Sequence, residues 1–210
     1  MALTSLPEPN KNEREAPTNK YRPTARQYMI FGLAFIGMLL FYMVPVQIPF
    51  LLREMGVERN ALSGVAIATT TLFGVFTSSR YSKILQRLTF AQIYVFIFTF
   101  GGIGYGLAAI TESYALLIAA MAITGLAFGT LMPNTNMWLI SESKPFNRGR
   151  IIGILTLSFF SGQFFSPIVL RPIALSGRLS TAFGVAAVFM FVLAAVLQLT
   201  YVRKTPTDLF

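Results

Sequence analysis

The chain has no cysteine and no histidine, and only 12% of its 210 residues are charged. Without cysteine there is no disulfide, thiolate nucleophile or thiolate metal ligand; without histidine, imidazole acid–base catalysis and imidazole–metal sites are lost as well. The shortage of charge is equally informative, because soluble domains carry about a quarter charged residues. Hydrophobic residues instead make up 54% of the chain, 20 of them phenylalanine, a balance that points to lipid. Acidic residues are the scarcest charged class, with 8 Asp and Glu against 17 Lys and Arg and a net charge of +9. An excess of that size raises the question of nucleic acid or an anionic surface. The placement of the cations answers it.

Six apolar runs are separated by short polar joints: Gln27 to Leu52, Leu62 to Ser79, Ala91 to Ile110, Tyr114 to Ile140, Ile151 to Leu170 and Thr181 to Val202. Each is on the order of 18 to 25 residues, enough to cross a ~30 Å hydrocarbon core as a helix. None contains Asp, Glu, Lys or Arg. A backbone crossing lipid must satisfy its own hydrogen bonds, so these runs are expected to be transmembrane helices and the fold an all-α membrane protein. Six spans place both termini on one side, together with the joints near Arg80 to Phe90 and Ser141 to Arg150. That side carries Lys11, Arg14, Lys20, Arg22, Arg26, Arg80, Lys83, Arg87, Lys144, Arg148, Arg150, Arg203 and Lys204; the other carries Arg53, Arg59, Arg171 and Arg178. The positive-inside tendency makes the first side cytoplasmic, in a plasma (inner) membrane. Cations that flank spans form no groove for nucleic acid, so that partner is not expected.

Residues 1–26, rich in Pro, Asn, Glu and Lys, read as a disordered cytoplasmic tail or linker, with the six-helix domain over 27–202 and a second tail over 203–210. No short apolar core with a small-residue cleavage site precedes the first span, so this head is not a secretory signal.

Within the spans, small residues recur at helical spacing: Gly149 and Gly153, Gly125 and Gly129, Gly102 and Gly106, and Ala66, Thr70 and Gly74. Small faces let helix backbones approach where hydrophobic burial gives no drive between helices. Prolines are expected to break the first span at Pro45 and Pro49, the fourth at Pro133 and the fifth at Pro167. Near them lie the strong polar groups at depth: Gln47, Asn134, Asn136 and Gln163, with Tyr42 and Tyr105. Buried amides can pin helices together or line a cavity. Asn134 and Trp138 stand one turn apart, a polar group beside an aromatic wall, which suits a solute cavity. No constellation calls for a cofactor or a metal.

The stretch Pro145, Arg148, Gly149, Gly153, then Gly162, Gln163, Phe164, Ser166 and Pro167 resembles the junction of the tenth and eleventh helices of the major facilitator superfamily of transporters. That family places G-x-x-x-D-R-x-G-R-[RK] after the second helix of a half, most completely in the first half of the molecule. Here Ser82 stands at the first glycine, Gln86 at the aspartate, Arg87 at the arginine and Thr89 at the second glycine, so only the arginine is retained. The resemblance therefore implies the carboxy-terminal half, with the polar head as the loop that joins the halves.

Family members consist of two six-helix halves around a midplane site, so six helices supply half the walls. The resemblance implies transport of a small organic solute by alternating access, either by a truncated carrier or by a half-transporter paired with an amino-terminal half or a second copy of itself. Candidate cavity residues are Tyr42, Gln47, Asn134, Asn136, Trp138 and Gln163; candidate cytoplasmic gate and packing residues are Arg87, Arg148, Gly149, Arg150 and Gly153. Embedded carboxylates that could relay protons are absent from the spans: Glu112 and Glu142 lie at joints, Glu54 and Glu58 outside and Asp208 in the tail. The alternative is a non-transporting six-span subunit or remnant. An intramembrane enzyme finds no support, because nucleophile–base and carboxylate-pair arrangements cannot be assembled. A channel finds none either, with no ring of charge or carbonyl-rich filter.

Overall fold

The structure, a computed structural model, describes residues 22–57, 59–175 and 178–202, with the side chains of 170–175 and 202 left aside. Of the tails expected over residues 1–26 and 203–210, residues 1–21 and 203–210, with Lys11, Arg14, Lys20, Arg203, Lys204 and Asp208, lie outside the described residues, as do Glu58 and the side chain of Arg171, and Ala25 and Arg26 already belong to the first helix. Six helical segments are long and apolar enough to cross a membrane: Ala25–Glu54, Asn60–Ser79, Phe90–Ile110, Tyr114–Ser141, Pro145–Val169 and Leu179–Tyr201. No strand occurs among the described residues.

The first span is two helices, α1 (Ala25–Phe41) and α2 (Met43–Glu54). The second is α3 (Asn60–Ser79), followed by the short α4 (Tyr81–Leu85) in the joint, and the third is α5 (Phe90–Ile110). The fourth is again divided, into α6 (Tyr114–Phe128) and α7 (Leu131–Ser141). A 3-10 turn at Pro145–Asn147 leads into α8 (Arg148–Leu175), and α9 (Leu179–Leu197) closes the bundle.

Both divisions follow from proline chemistry. Proline has no N–H and its ring collides with the carbonyl four residues earlier. For Pro45 that carbonyl belongs to Phe41, the last residue of α1; for Pro133 it belongs to Gly129, the residue after α6. Pro49 lies inside α2 without dividing it further. The break expected at Pro167 does not occur. Helix α8 runs through it, because the turns on either side keep their own bonds and only the Gln163 carbonyl loses its helical donor. Helix α8 also starts earlier than expected, so that Arg148, Gly149 and Arg150 form its first turn rather than a polar joint.

The first and third spans open with the same capping box. Thr24 and Gln27, and Thr89 and Gln92, exchange side-chain-to-backbone bonds at 2.8 to 3.3 Å. Both boxes sit at the end of the bundle that carries Arg26, Arg80, Arg87 and Arg148, here called the cation-rich end. There Arg80 lays its guanidinium 4.0 Å above the Phe76 ring, covering apolar surface while its charge reaches water.

The core runs along the third span, where Ile93, Tyr94, Ile97, Phe98, Tyr105 and Ala108 are buried from one end to the other. The third span packs on the sixth and the fourth, the second on the fourth, and the first on the fifth. The spans are not equally covered. In their most apolar stretches half the residues of the first, third and fourth spans are buried, but only 17% of the second and 28% of the fifth.

Candidate functional site

The two broken spans meet at their breaks. Phe41, the end of α1, sets its ring 5.6 Å from Phe128, the end of α6. Behind them stands Tyr105 of α5, fully buried, with its ring 6.2 Å from Phe128 and 5.2 Å from Phe183 of α9. Its hydroxyl donates to the Leu40 carbonyl, one residue before the break. The carbonyl that Pro45 frees is that of Phe41, and this tyrosine brings a donor from a neighbouring span to the residue beside it.

Beside the breaks is a cavity of about 250 Å3, lined by Met38 and Phe41, by Thr70, Thr71, Gly74 and Ser78 of the second span, and by Gly129 and Pro133 at the fourth-span break. The second span closes this side at short range. A Cβ on Gly125 would collide with the Thr70 carbonyl and one on Gly129 with the Gly74 backbone, so the helices touch backbone to backbone. Nearer the cation-rich end a groove of about 500 Å3 is lined by Tyr81, Ser82, Leu85 and Gln86 on one side and Pro133, Asn136 and Met137 on the other. Neither lining contains an ionisable side chain other than Tyr81. Burial pushes the Tyr81 phenol up to about 12, so it stays a donor.

The sequence-predicted cavity residues do not form one cluster. Asn136 lines the groove and donates to its own helix at Met132, 2.9 Å away. Asn134 does not face a cavity: it is fully buried, its Oδ1 accepts from the Tyr81 hydroxyl at 3.2 Å and its Nδ2 donates to the Phe90 carbonyl at 3.1 Å. Both ends of the amide are committed to holding three segments together. Trp138, buried as well, stacks on Phe90 at 6.0 Å and 9° and leans on Tyr94 at 5.8 Å. Next to Asn134, Thr135 is bonded to the Tyr94 hydroxyl. The amide and indole expected as cavity walls are thus part of a polar and aromatic pin between α7, α4 and α5. Tyr42 is half-buried at the first break, its ring 6.0 Å from Phe41; Gln47 is buried on α2, and Gln163 is half-buried on α8.

Among the gate and packing candidates, Arg87, Arg148 and Arg150 are exposed. Gly149 and Gly153, with a spacing identical to that of Gly125 and Gly129, have no atom within 4 Å of where a Cβ would stand. Their face is open. On the same helix Gly162 is closed, its Cβ position lying against the Phe35 carbonyl of α1.

Other contacts between spans escaped the sequence reading. Arg26 pairs with Glu142 at 2.9 Å, and Gln27 Nε2 donates to the Glu142 carbonyl at 3.0 Å and to Ser143 Oγ at 3.4 Å, joining the ends of the first and fourth spans. At the other end Glu54 accepts the Leu179 N–H. The hydroxyls Thr70, Thr71 and Ser78 left a trace in the sequence as polar residues inside an apolar run.

The family model for the Major Facilitator Superfamily matches residues 3–167. The chain belongs to the major facilitator superfamily. Among solved structures it is similar to a mutant of a peptide transporter, POT, crystallised with sulfate, with a TM-score of 0.68 and 21% sequence identity. That superposition covers 83% of this chain and 37% of the other, so this superfamily chain spans well under half the length of its structural relative. No curated protein matches it. The fold is that of half a superfamily transporter, embedded in a bilayer through six spans.

Proposed function

We propose that this chain is the carboxy-terminal half, or a half-size member, of a secondary carrier that moves a small organic solute across a membrane by alternating access. The observation that carries the reading is the meeting of two broken spans beside a cavity of about 250 Å3. Discontinuous helices tolerate irregular backbone at membrane depth only where protein or a water-filled cavity satisfies it. The excess of cations at the end holding the joints after the second and fourth spans supports a cytoplasmic location for that end and for both termini, in a plasma (inner) membrane. The sparse burial of the second and fifth spans supports a partner across them, an amino-terminal half or a second copy of this chain. In this reading the solute meets Thr70, Thr71 and Ser78 in the cavity and Asn136 in the groove, while Tyr42, Gln47 and Gln163, which line neither, are proposed to face the partner half; Asn134 and Trp138 hold α7 against α4 and α5.

The competing reading, a non-transporting six-span subunit, draws on the way the Asn134 amide is consumed by structure. Reconstituting the chain in vesicles, alone and with any six-span protein that co-purifies with it from native membranes, separates the two. Saturable uptake of a solute from a broad panel supports the carrier. No uptake by a stable assembled complex supports the subunit.

A further inference from the structure

Hydroxyls inside the spans mostly bond to their own helix. On α8 Thr156 donates to the Ile152 carbonyl at 2.9 Å and Ser158 to the Ile154 carbonyl at 3.0 Å; on α3 Thr70 and Thr71 donate to Ala66 and Ile67 at 3.3 and 3.1 Å. Ser166 of α8 is different. It is fully buried, and its Oγ has no hydrogen-bond partner among the described residues. A hydroxyl in that state is costly, and in a bilayer no bulk solvent is at hand to relieve it.

Acceptors short of donors lie on the same side. Helices α1 and α8 both start at the cation-rich end and run the same way. They touch at Gly162, whose Cβ position lies against the Phe35 carbonyl and 3.1 Å from the Leu39 nitrogen. Ser166 is one turn further along that face of α8, level with the end of α1. The helical repeat turns the carbonyls of Leu39 and Tyr42 toward α8 as it turns that of Phe35. Leu39 is among the last four carbonyls of α1, where helical donors run out, and the Tyr42 carbonyl takes the Val46 N–H only at 3.3 Å. Tyr105 does not serve them, since its hydroxyl is given to Leu40.

We infer that one buried water binds between α8 and the end of α1, accepting the Ser166 O–H and donating to the Leu39 and Tyr42 carbonyls. A water offers two donors and an acceptor, the complement of one hydroxyl donor and two carbonyls, and a polar site with two to four partners holds one. A metal cation fits worse. The oxygens are all neutral and no apolar run contains a carboxylate, so its charge would be buried without compensation. The water thus ties the fifth span to the first-span break.

Hydroxyl radicals generated by X-ray radiolysis of the full chain in lipid nanodiscs, read by mass spectrometry, test the site, because methionine beside a bound water is oxidised even where it is closed to the exterior. Met43, one turn beyond Leu39, is fully buried, as are Met121 and Met190 away from the site. Met43 is expected to be oxidised at least fivefold faster than the other two, and Ser166→Ala to remove most of that excess. Equal rates for the three methionines in the wild type overturn the inference, with or without a folded variant. An excess that persists in Ser166→Ala overturns it as well, since the water would then belong elsewhere. So does a rise in the wild-type melting temperature given by sodium but not by choline and lost in Ser166→Ala, which would put a cation at the site.

Discussion

At the cation-rich end the spans are joined by hydrogen bonds between polar side chains, whereas in the middle of the bundle glycines bring backbones together beside the Tyr105, Phe41 and Phe128 contacts. Near that end Arg26 and Gln27 hold Glu142 and Ser143, Tyr81 and Asn134 hold Phe90, and Tyr94 holds Thr135. In the middle, Gly125 and Gly129 lie on Thr70 and Gly74 and Gly162 on Phe35, with backbone as the contacting surface, and Gly104 lies on the Thr124 hydroxyl and the Ala120 carbonyl. The two devices respond differently to displacement. A directional bond between side chains is lost when a helix turns by a fraction of a residue; a smooth glycine seam stays in contact as backbones shift. The cation-rich end is therefore the more sensitive to small rotations of its helices, and the glycine seams the more tolerant of them.

The largest expected effect comes from filling a seam. Gly129→Leu forces the Gly74 backbone away, and overpacking costs about 1–3 kcal/mol or more. The folded fraction in mild detergent should fall sharply, together with the melting temperature. Gly149→Leu is the matched control on the open face; alone in detergent it should change stability by less than about 0.5 kcal/mol. Equal losses for the two variants would erase the distinction between closed and open faces.

Breaking the pin comes next. Asn134→Leu leaves the Tyr81 hydroxyl and the Phe90 carbonyl without their partner, a cost of about 1–2 kcal/mol for a buried group in a membrane protein. Quenching of the single tryptophan, Trp138, reports it: iodide should reach the indole in the variant and not in the wild type. The smallest effect belongs to the rim. Arg26 and Glu142 are 56% and 26% exposed, so Glu142→Gln should cost about 0–1 kcal/mol, a difference that vanishes in high salt.

Much of this architecture can be read in the residues, and the part that cannot has a physical cause. Span number follows from length and from the avoidance of charge, properties of each segment alone. The breaks follow from Pro45 and Pro133, because the clash lies within one helix. Which spans touch is a different kind of fact. Gly149 and Gly153 repeat the spacing of Gly125 and Gly129, yet one pair is closed by a neighbour and the other is open; spacing describes a face and not what lies opposite it. Asn134 shows the same limit. An amide at depth is as fit to line a cavity as to bridge helices, and only the positions of Tyr81 and Phe90 decide between them. Glu54 and Glu142 sit in joints that look merely polar, and their importance depends on Leu179 and Arg26, more than a hundred residues away.

The central proposal is that the second and fifth spans, 17% and 28% buried, face another protein, while the sixth, 39% buried and packed on the third, turns its exposed side to lipid. A photo-crosslinking amino acid at Leu157 of the fifth span, 67% exposed, can be compared with one at Val188 of the sixth, 64% exposed, by irradiating the full chain in native membranes. A protein adduct of defined mass from Leu157, with only lipid adducts from Val188, is the predicted result. Lipid adducts alone from Leu157, or the same protein adduct from both positions, would contradict it.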